Sequence, residues 1–319
     1  MRYLSFLGSV FLVCSAGMSY GVEMSVPVAV RHRSSMAIRD PFIVPWQANK
    51  TYYLYASCSY KSEEGKNKRC FGYYKSKDLN MWEGPFPAFV PGKDFWATKD
   101  FWAPEVHEYK GKFYLFATMN SETRKRGTQI MRADTPEGPF EPISEFPQTP
   151  AEWLCLDGTL WVEDGKPWMV YCHEWLDVQD GTIEAIPLSD DLSEAIGPST
   201  TLFKGSNAPW GHGPGQKTYV TDGPFLFRRD GELLMLWSSF GPSGYTTGLA
   251  KSTTGKVLGP WTQLKDPIFC VDGGHASRFK TFDGRQMTVL HAPNGGATRM
   301  VFLEGEDWIY RPVIDGLAK

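Results

Sequence analysis

The sequence predicts an all-β fold, and three observations support that prediction. Aromatic residues make up 14% of the 319 residues, and the chain contains 32 glycines and 23 prolines, a composition typical of strands joined by tight turns. A short pattern returns five times, each time with an ionisable residue ahead of an apolar run. No long stretch has the apolar spacing of a helix. Composition, repetition and periodicity therefore agree on the fold class.

The five repeats of the pattern predict five similar structural units. Their ionisable heads recur at intervals of 52 to 65 residues, which is the scale of repeated supersecondary units. The heads are Asp40, Glu105, Asp157, Asp222 and His275. Four carboxylates and one imidazole at equivalent positions are expected to face one shared site.

Each unit contains four short runs of β-branched and aromatic residues separated by turn residues. The runs read DPFIV, TYYLYAS, CFGYYKS and LNMWEGP; EVHEY, KFYLFATM, TQIMRAD and TPEGPFEPI; TLWVED, PWMVYCHEW, GTIEAIPLS and LSEAIGP; PFLFRR, LLMLWSSF, GYTTGLAKS and VLGPWTQL; ASRFKT, QMTVLHAP, ATRMVFLE and DWIYRPV. Five units of four strands predict a five-bladed β-propeller, in which the first strand of each blade lies innermost. Residues 26–31 also read as a strand, which is predicted to complete the last blade and close the ring.

The first 21 residues are predicted to be a secretory signal peptide, because a basic start is followed by an apolar run and then by small residues. Cys14 follows a Leu-Val pair that resembles a bacterial lipoprotein box, so a lipid anchor at Cys14 is an alternative. Residues 22–319 are expected to form a single propeller domain that is secreted or periplasmic. The net charge of −3 and the absence of a long basic run argue against nucleic-acid binding, and no other stretch is apolar enough to span a membrane.

Export would permit disulfides, and two cysteine pairs lie on predicted hairpins. Cys58 and Cys70 flank a polar loop and are placed to face each other. A turn at residues 164–165 predicts that residue 157 lies opposite residue 172, which leaves the cysteines of that second hairpin out of register.

The aspartates among the heads indicate acid–base chemistry. Asp40, Asp157 and Asp222 stand at strand starts beside apolar residues, where they would be desolvated and would repel one another. Such crowding raises the pKa of some carboxyls and leaves others ionised. A protonated carboxyl facing an ionised one is the arrangement that hydrolyses glycosidic bonds. The alternative is that Asp-Gly and Asp-Pro only cap turns where blades begin.

Several motifs occur in an order that is specific as a set: RDPFIV, WAPEVHEYKGKFYLF, LDGTLWVEDGKPWMVY, TDGPFLF, and GGHASRF with LHAP. With them the chain resembles glycoside hydrolase family 43, whose five-bladed propellers act by inversion on glycans containing arabinose, xylose and sometimes galactose. The resemblance implies that Asp40 is the general base and that Asp157 orients the acid and holds its pKa high. Asp222 stands where the family usually has a glutamate as general acid, and its side chain is one methylene shorter.

The short side chain of Asp222 motivates a second candidate for the acid. Glu174, in YCHEW, ends the second strand of the third unit and is predicted to lie at the same rim. We expect it to supply or share the general-acid role, the alternative being a solvated loop residue.

The resemblance also implies residues that bind substrate and an ion. Glu105 would orient substrate and Arg299 would bind ring hydroxyls. Apart from the resemblance, Trp102 and Trp175 are expected to offer platforms for sugar faces because they adjoin the predicted rim. Core packing is the alternative for the tryptophans, and a surface ion pair is the alternative for Arg299. His275 would help to hold a central calcium ion through water, although imidazole is a poor calcium ligand and a hydrogen-bonded core histidine is the alternative. No cofactor is required.

The predicted function is an exported inverting glycosidase that removes terminal pentoses, α-L-arabinofuranosyl or β-D-xylosyl, from oligosaccharides or polysaccharides of the plant type. One alternative is an exo-acting galactosidase of the same family. Another is a non-catalytic carbohydrate-binding propeller, suggested by the altered acid position. A retaining fructan hydrolase is disfavoured because IRDPFIV lacks the asparagine that such enzymes carry in this segment.

Overall fold

The computed structural model describes residues 22–211 and 217–306, and it forms the predicted five-bladed propeller of antiparallel sheets. The predicted signal peptide, Cys14 and the run DWIYRPV lie outside the described residues. Within the described ranges no helix is long and apolar enough to cross a membrane.

The strands follow one another blade by blade. The first blade contains β1 (Ala29–His32), β2 (Phe42–Trp46), β3 (Thr51–Lys61), β4 (Asn67–Ser76) and β5 (Met81–Phe89); the second contains β6 (Lys99–Tyr109), β7 (Lys112–Asn120), β8 (Gly127–Ala133) and β9 (Glu141–Pro142). The third contains β10 (Cys155–Glu163), β11 (Lys166–His173), β12 (Thr182–Pro187) and β13 (Thr200–Lys204); the fourth contains β14 (Asp222–Arg229), β15 (Glu232–Gly241), β16 (Gly244–Ser252) and β17 (Trp261–Gln263). The described part of the fifth contains β18 (Gly274–Lys280), β19 (Gln286–Ala292) and β20 (Arg299–Glu304). Short helices are α1 (Trp175–Val178) and two 3₁₀ turns, Arg33–Ser35 and Gly205–Asn207.

Five apolar clusters hold the ring together, one at each interface between neighbouring blades. The cluster between the last and first blades includes Phe279 and Val289 from the last blade and Leu54 and Trp82 from the first. Because burial of apolar surface is the main favourable contribution to folding, this fifth cluster closes the ring by side-chain packing.

The prediction that residues 26–31 complete the last blade is wrong. Strand β1 pairs instead with β5, at the outer edge of the first blade, from Ala29 opposite Gly84 to His32 opposite Met81. The segment that follows β1 buries Met36 in the cluster between the last and first blades. The N-terminal segment therefore lies at that interface while its strand extends its own blade.

The inner strands share a local distortion at or beside their heads. Asp157 and His275 have left-handed φ values of 55° and 54°, and the strand register shifts at each of them. Ala103 and Gly223 occupy left-handed positions at the corresponding shifts in β6 and β14. Asp40, with φ of 50°, lies just before β2. Such bulges re-aim side chains, and aspartate is one of the few residues other than glycine that visits this region readily.

The bulge at Asp157 makes the predicted register of this hairpin wrong by one residue at the inner end. Leu156, not residue 157, lies opposite Cys172, and Cys155 lies opposite His173. The turn at residues 164–165 sets the expected register only as far as Thr159. The hairpin of β3 and β4 has no such break, and Cys58 and Cys70 lie opposite each other as predicted, both as free thiols.

Candidate active site

Three of the five heads meet at the propeller axis, where Asp40 and Asp157 lie beside the imidazole of His275. Asp40 Oδ1 lies 3.3 Å from His275 Nδ1, and Asp157 Oδ2 lies 3.7 Å from the same nitrogen. A second imidazole, that of His291 on β19, places its Nδ1 3.2 Å from Asp40 Oδ1 and also accepts the Asp40 backbone N–H. The predicted convergence of Asp40, Asp157 and His275 is thus observed.

Asp40 is held in its ionised form. Burial alone would raise the pKa of its carboxyl, but the neighbouring His275 and His291 imidazoles and the Arg39 guanidinium outweigh burial and keep that pKa well below its usual range. Arg39 Nε lies 3.7 Å from Asp40 Oδ2. A carboxylate in this state can accept a proton from water.

Asp157 has the opposite environment. Its side chain is 6% exposed, and Oδ2 accepts the Gly223 backbone N–H at 3.0 Å. Burial, followed by the charge of Asp40, raises the pKa of Asp157 well above its ordinary value, although the Gly223 hydrogen bond opposes this. Asp157 therefore fixes the backbone next to Asp222 through the Gly223 N–H.

Asp222 combines partial exposure with a raised pKa. Tyr245 on β16 donates its hydroxyl proton to Asp222 Oδ2 at 2.9 Å. Burial of the carboxyl and the charge of Asp157 raise the pKa of Asp222 to about 7, while His275 and the Tyr245 hydrogen bond oppose the rise. Asp222 can therefore carry a proton near neutral pH, at which Asp40 is ionised.

Glu174 lies away from this cluster's hydrogen bonds and is paired with a cation that the sequence did not single out. It stands just before α1, is 6% exposed, and accepts a hydrogen bond from Arg126 Nη1. Arg126 also donates from Nη2 to Asp100 Oδ2 at 2.8 Å. Burial raises the pKa of Glu174, whereas Arg126 opposes the rise. Glu174 is therefore buried and not a solvated loop residue, and its carboxylate is bound to the Arg126 guanidinium.

Trp102 and Trp175 both remain accessible at the rim. Trp102 is 40% exposed, and the Arg126 guanidinium lies 4.2 Å from its ring centroid. Trp175 is the first residue of α1 and is half-buried. An indole backed by a cation on one face can present its other face to a sugar ring.

Two predicted binding residues have other partners. The Glu105 side chain is buried, and its Oε2 lies 3.0 Å from His107 Nε2. Arg299 donates to the backbone carbonyls of Ser34 and Thr298, which ties the last blade to the segment after β1. These contacts support structural roles rather than contacts with substrate.

The surroundings of His275 do not form a calcium shell. The described parts of the chain contain no group of three or more His, Cys, Asp or Glu side chains that could hold a metal ion. His275 Nδ1 faces the carboxylates of Asp40 and Asp157, and calcium prefers a shell of oxygens. The donor set therefore does not fit a directly bound ion.

Three residues of this site were missed at the sequence level. His291 belongs to the LHAP motif, but its role was not identified. Arg126 lies in a basic loop that resembles any solvated charge run. Tyr245 directly follows a turn glycine and carries no sequence signal that distinguishes it from the other strand tyrosines.

Replacing Asp157 by Asn is expected to raise the melting temperature by a few degrees at pH 8. The pKa of Asp157 is raised in the folded state, whereas in the unfolded chain it is about 3.8. As pH rises above that value, the unfolded chain loses the proton that the folded chain keeps, and the free energy of unfolding falls. Below that pH the parent and the variant should unfold alike. Calorimetry at both pH values tests this, with the exposed Asp230→Asn as control. A lower melting temperature at pH 8 would contradict the expectation.

An ionised carboxylate and two carboxyls of raised pKa on a propeller axis define a glycosidase that works with paired carboxyl groups. The chain belongs to glycosyl hydrolases family 43, whose sequence profile matches residues 34–309, and this confirms the resemblance drawn from the motifs.

Known relatives agree with this membership. The chain is 26% identical over 257 residues to the extracellular exo-α-(1→5)-L-arabinofuranosidase ArbA of Cellvibrio japonicus, over 69% of this chain and 72% of that protein. The crystal structure of endo-arabinase from Bacteroides thetaiotaomicron is 42% identical, with a TM-score of 0.78 over 86% of this chain and 96% of that one. An endo-1,4-β-xylanase structure from the same organism shares the fold at 22% identity, with a TM-score of 0.68 over 88% and 97% of the two chains.

Proposed function

We propose that this protein is an exported, inverting glycosidase that removes terminal pentose units, α-L-arabinofuranosyl before β-D-xylosyl, from plant-type glycans. The observation that carries the proposal is the convergence of Asp40 and Asp157 on His275, with Asp222 beside the Gly223 N–H that Asp157 accepts. In this site the pKa of Asp40 is lowered and the pKa of Asp222 is raised to about 7. The arabinose-specific names of the two relatives with 26% and 42% identity support arabinose as the sugar.

In the proposed reaction, Asp40 accepts a proton from a water molecule that attacks the anomeric carbon. Protonated Asp222 gives its proton to the glycosidic oxygen as the bond to the leaving group breaks, so the anomeric configuration inverts. Asp157 orients Asp222 through the Gly223 N–H and disfavours its ionisation. Water and side chains suffice, and no cofactor takes part.

The substrate is proposed to approach along the rim between the second and third blades. There Trp102 and Trp175 offer sugar platforms, and Arg126 backs the Trp102 ring. A calcium ion near His275, bound only through water, would have a structural role. Glu174 remains the competing assignment for the general acid.

We also propose that residues 1–21 direct export to the periplasm or the medium, that Cys14 is an alternative site for lipid attachment, and that residues 22–319 form one domain. The extracellular location in the name of ArbA supports export.

A panel of para-nitrophenyl α-L-arabinofuranoside, β-D-xyloside and β-D-galactoside, together with α-1,5-linked arabino-oligosaccharides, tests the proposal. We expect arabinose to be released fastest, and proton NMR to show the inverted anomer first. Retained configuration would contradict the role of Asp40 as base. Sugar binding without turnover would favour the carbohydrate-binding propeller, and cleavage within oligosaccharides would favour an endo-acting arabinanase.

A further inference from the structure

The ring of Tyr245 is fixed from several sides. It stacks on the His291 imidazole with centroids 5.6 Å apart and planes 16° apart, and it packs against Phe240. A Cβ atom at Gly274 would lie 2.5 Å from Tyr245 Cε1, so only glycine leaves room for the ring. The backbone N–H of Tyr245 donates to Asp272 Oδ1 at 3.1 Å. The ring is therefore held by His291, by Phe240 and by the close approach of Gly274.

We propose that Tyr245 is a positioning residue whose hydroxyl orients the carboxyl of Asp222 for proton transfer. This inference rests on the proposed function, with Asp222 as general acid. The hydroxyl binds Oδ2 at 2.9 Å, which leaves Oδ1 to carry the proton to the leaving group. A rigid donor compensates for the short side chain of Asp222, because the carboxyl no longer needs to find its orientation within the substrate complex.

The hydroxyl remains a donor throughout the working pH range. Burial, and after it the charges of Asp222, Asp40 and Asp157, raise the pKa of Tyr245 well above its ordinary value. The titratable groups that face Asp222 from the neighbouring strands and from the segment before β2 are Asp157, Cys172, Tyr245, His275 and Asp40. Among these groups, Tyr245 is the hydroxyl that donates to the Asp222 carboxylate.

Tyr245→Phe removes the donor and keeps the ring. We expect kcat to fall about tenfold for a substrate with a poor leaving group, such as a methyl arabinofuranoside, and less than about twofold for the dinitrophenyl arabinofuranoside, with KM unchanged for both. A hydroxyl donor favours the ionised carboxyl, so its loss should also move the alkaline limb of the kcat profile to higher pH. In the parent this limb is expected near pH 7.

Tyr171→Phe is the matched control, because that buried tyrosine bonds to Ser199 in the third blade, outside the site. It should change neither the dependence of kcat on the leaving group nor the alkaline limb of the kcat profile. Should Tyr245→Phe fail to fold, fluorotyrosine at position 245 preserves the ring and is a stronger donor, so the limb should move to lower pH.

If Tyr245→Phe lowers kcat equally on both substrates and leaves the alkaline limb in place, the positioning role is overturned. A fluorotyrosine variant with the parent's pH profile of kcat would overturn it as well. If the parent hydrolyses none of the arabinosides, the proposed function itself fails, and the role of Tyr245 fails with it.

Discussion

Asp40→Asn is expected to lower kcat on every hydrolysed glycoside by about 10³-fold, at the centre of the range that general acid–base catalysis contributes. The amide cannot accept a proton from water, whereas the sugar platforms at the rim are untouched. The dissociation constant for arabino-oligosaccharides should therefore stay within about threefold of the parent's. Stopped and continuous assays with both aryl and natural substrates, together with calorimetric binding, measure the two effects.

The control for this variant is Asp164→Asn, which changes a turn carboxylate whose side chain is 76% exposed. It should leave kcat unchanged. An Asp40→Asn protein that keeps more than about a tenth of the parent's kcat would remove Asp40 from the role of general base.

Asp222→Asn and Glu174→Gln should separate the two candidate acids. With a poor leaving group, we expect Asp222→Asn to lower kcat by about 10² to 10⁴-fold, because the glycosidic oxygen then leaves without a proton. With dinitrophenolate as the leaving group, the loss should be less than about tenfold, since this anion needs no proton. Glu174→Gln should affect both substrates alike, because it releases Arg126 and with it the support of Trp102.

Bond cleavage with the two leaving groups is measured in parallel for each variant. If Glu174→Gln alone shows the strong dependence on the leaving group, the acid is Glu174. As a further check, the parent's kcat should fall as pH rises through about 7, where Asp222 loses its proton, and this limb should be absent from Asp222→Asn.

The repeated heads predicted the propeller because spacing and strand periodicity are local properties of the chain. Two of the heads, Asp40 and Asp157, contact a third, His275, as expected from their equivalent positions. Arg299 binds the Ser34 carbonyl of a segment 265 residues earlier in the chain, which no local pattern records. Glu105 contacts His107 two residues on in its own strand, a contact that was not predicted. Glu174 was placed at the rim by hairpin register, but its binding to Arg126 arises from a loop 48 residues earlier in the chain.

The edge pairing of β1 escaped prediction for a related reason. A strand-like stretch ahead of the first blade can extend either its own blade or the last one. The choice between them depends on where Met36 and the residues after it are buried. Periodicity identifies such a strand without naming its partner.

The bulge at Asp157 changes which interface the rest of its strand serves. Cys155 and Leu160, an odd number of residues apart, both pack between the second and third blades, and Leu156 and Trp161 both pack between the third and fourth. In an uninterrupted strand an odd separation puts two side chains on opposite faces. The alternation of side chains between the two faces of β10 therefore changes phase at Asp157. A change of phase in apolar alternation thus marks, within the sequence, the point at which a side chain leaves the blade packing and turns toward the axis.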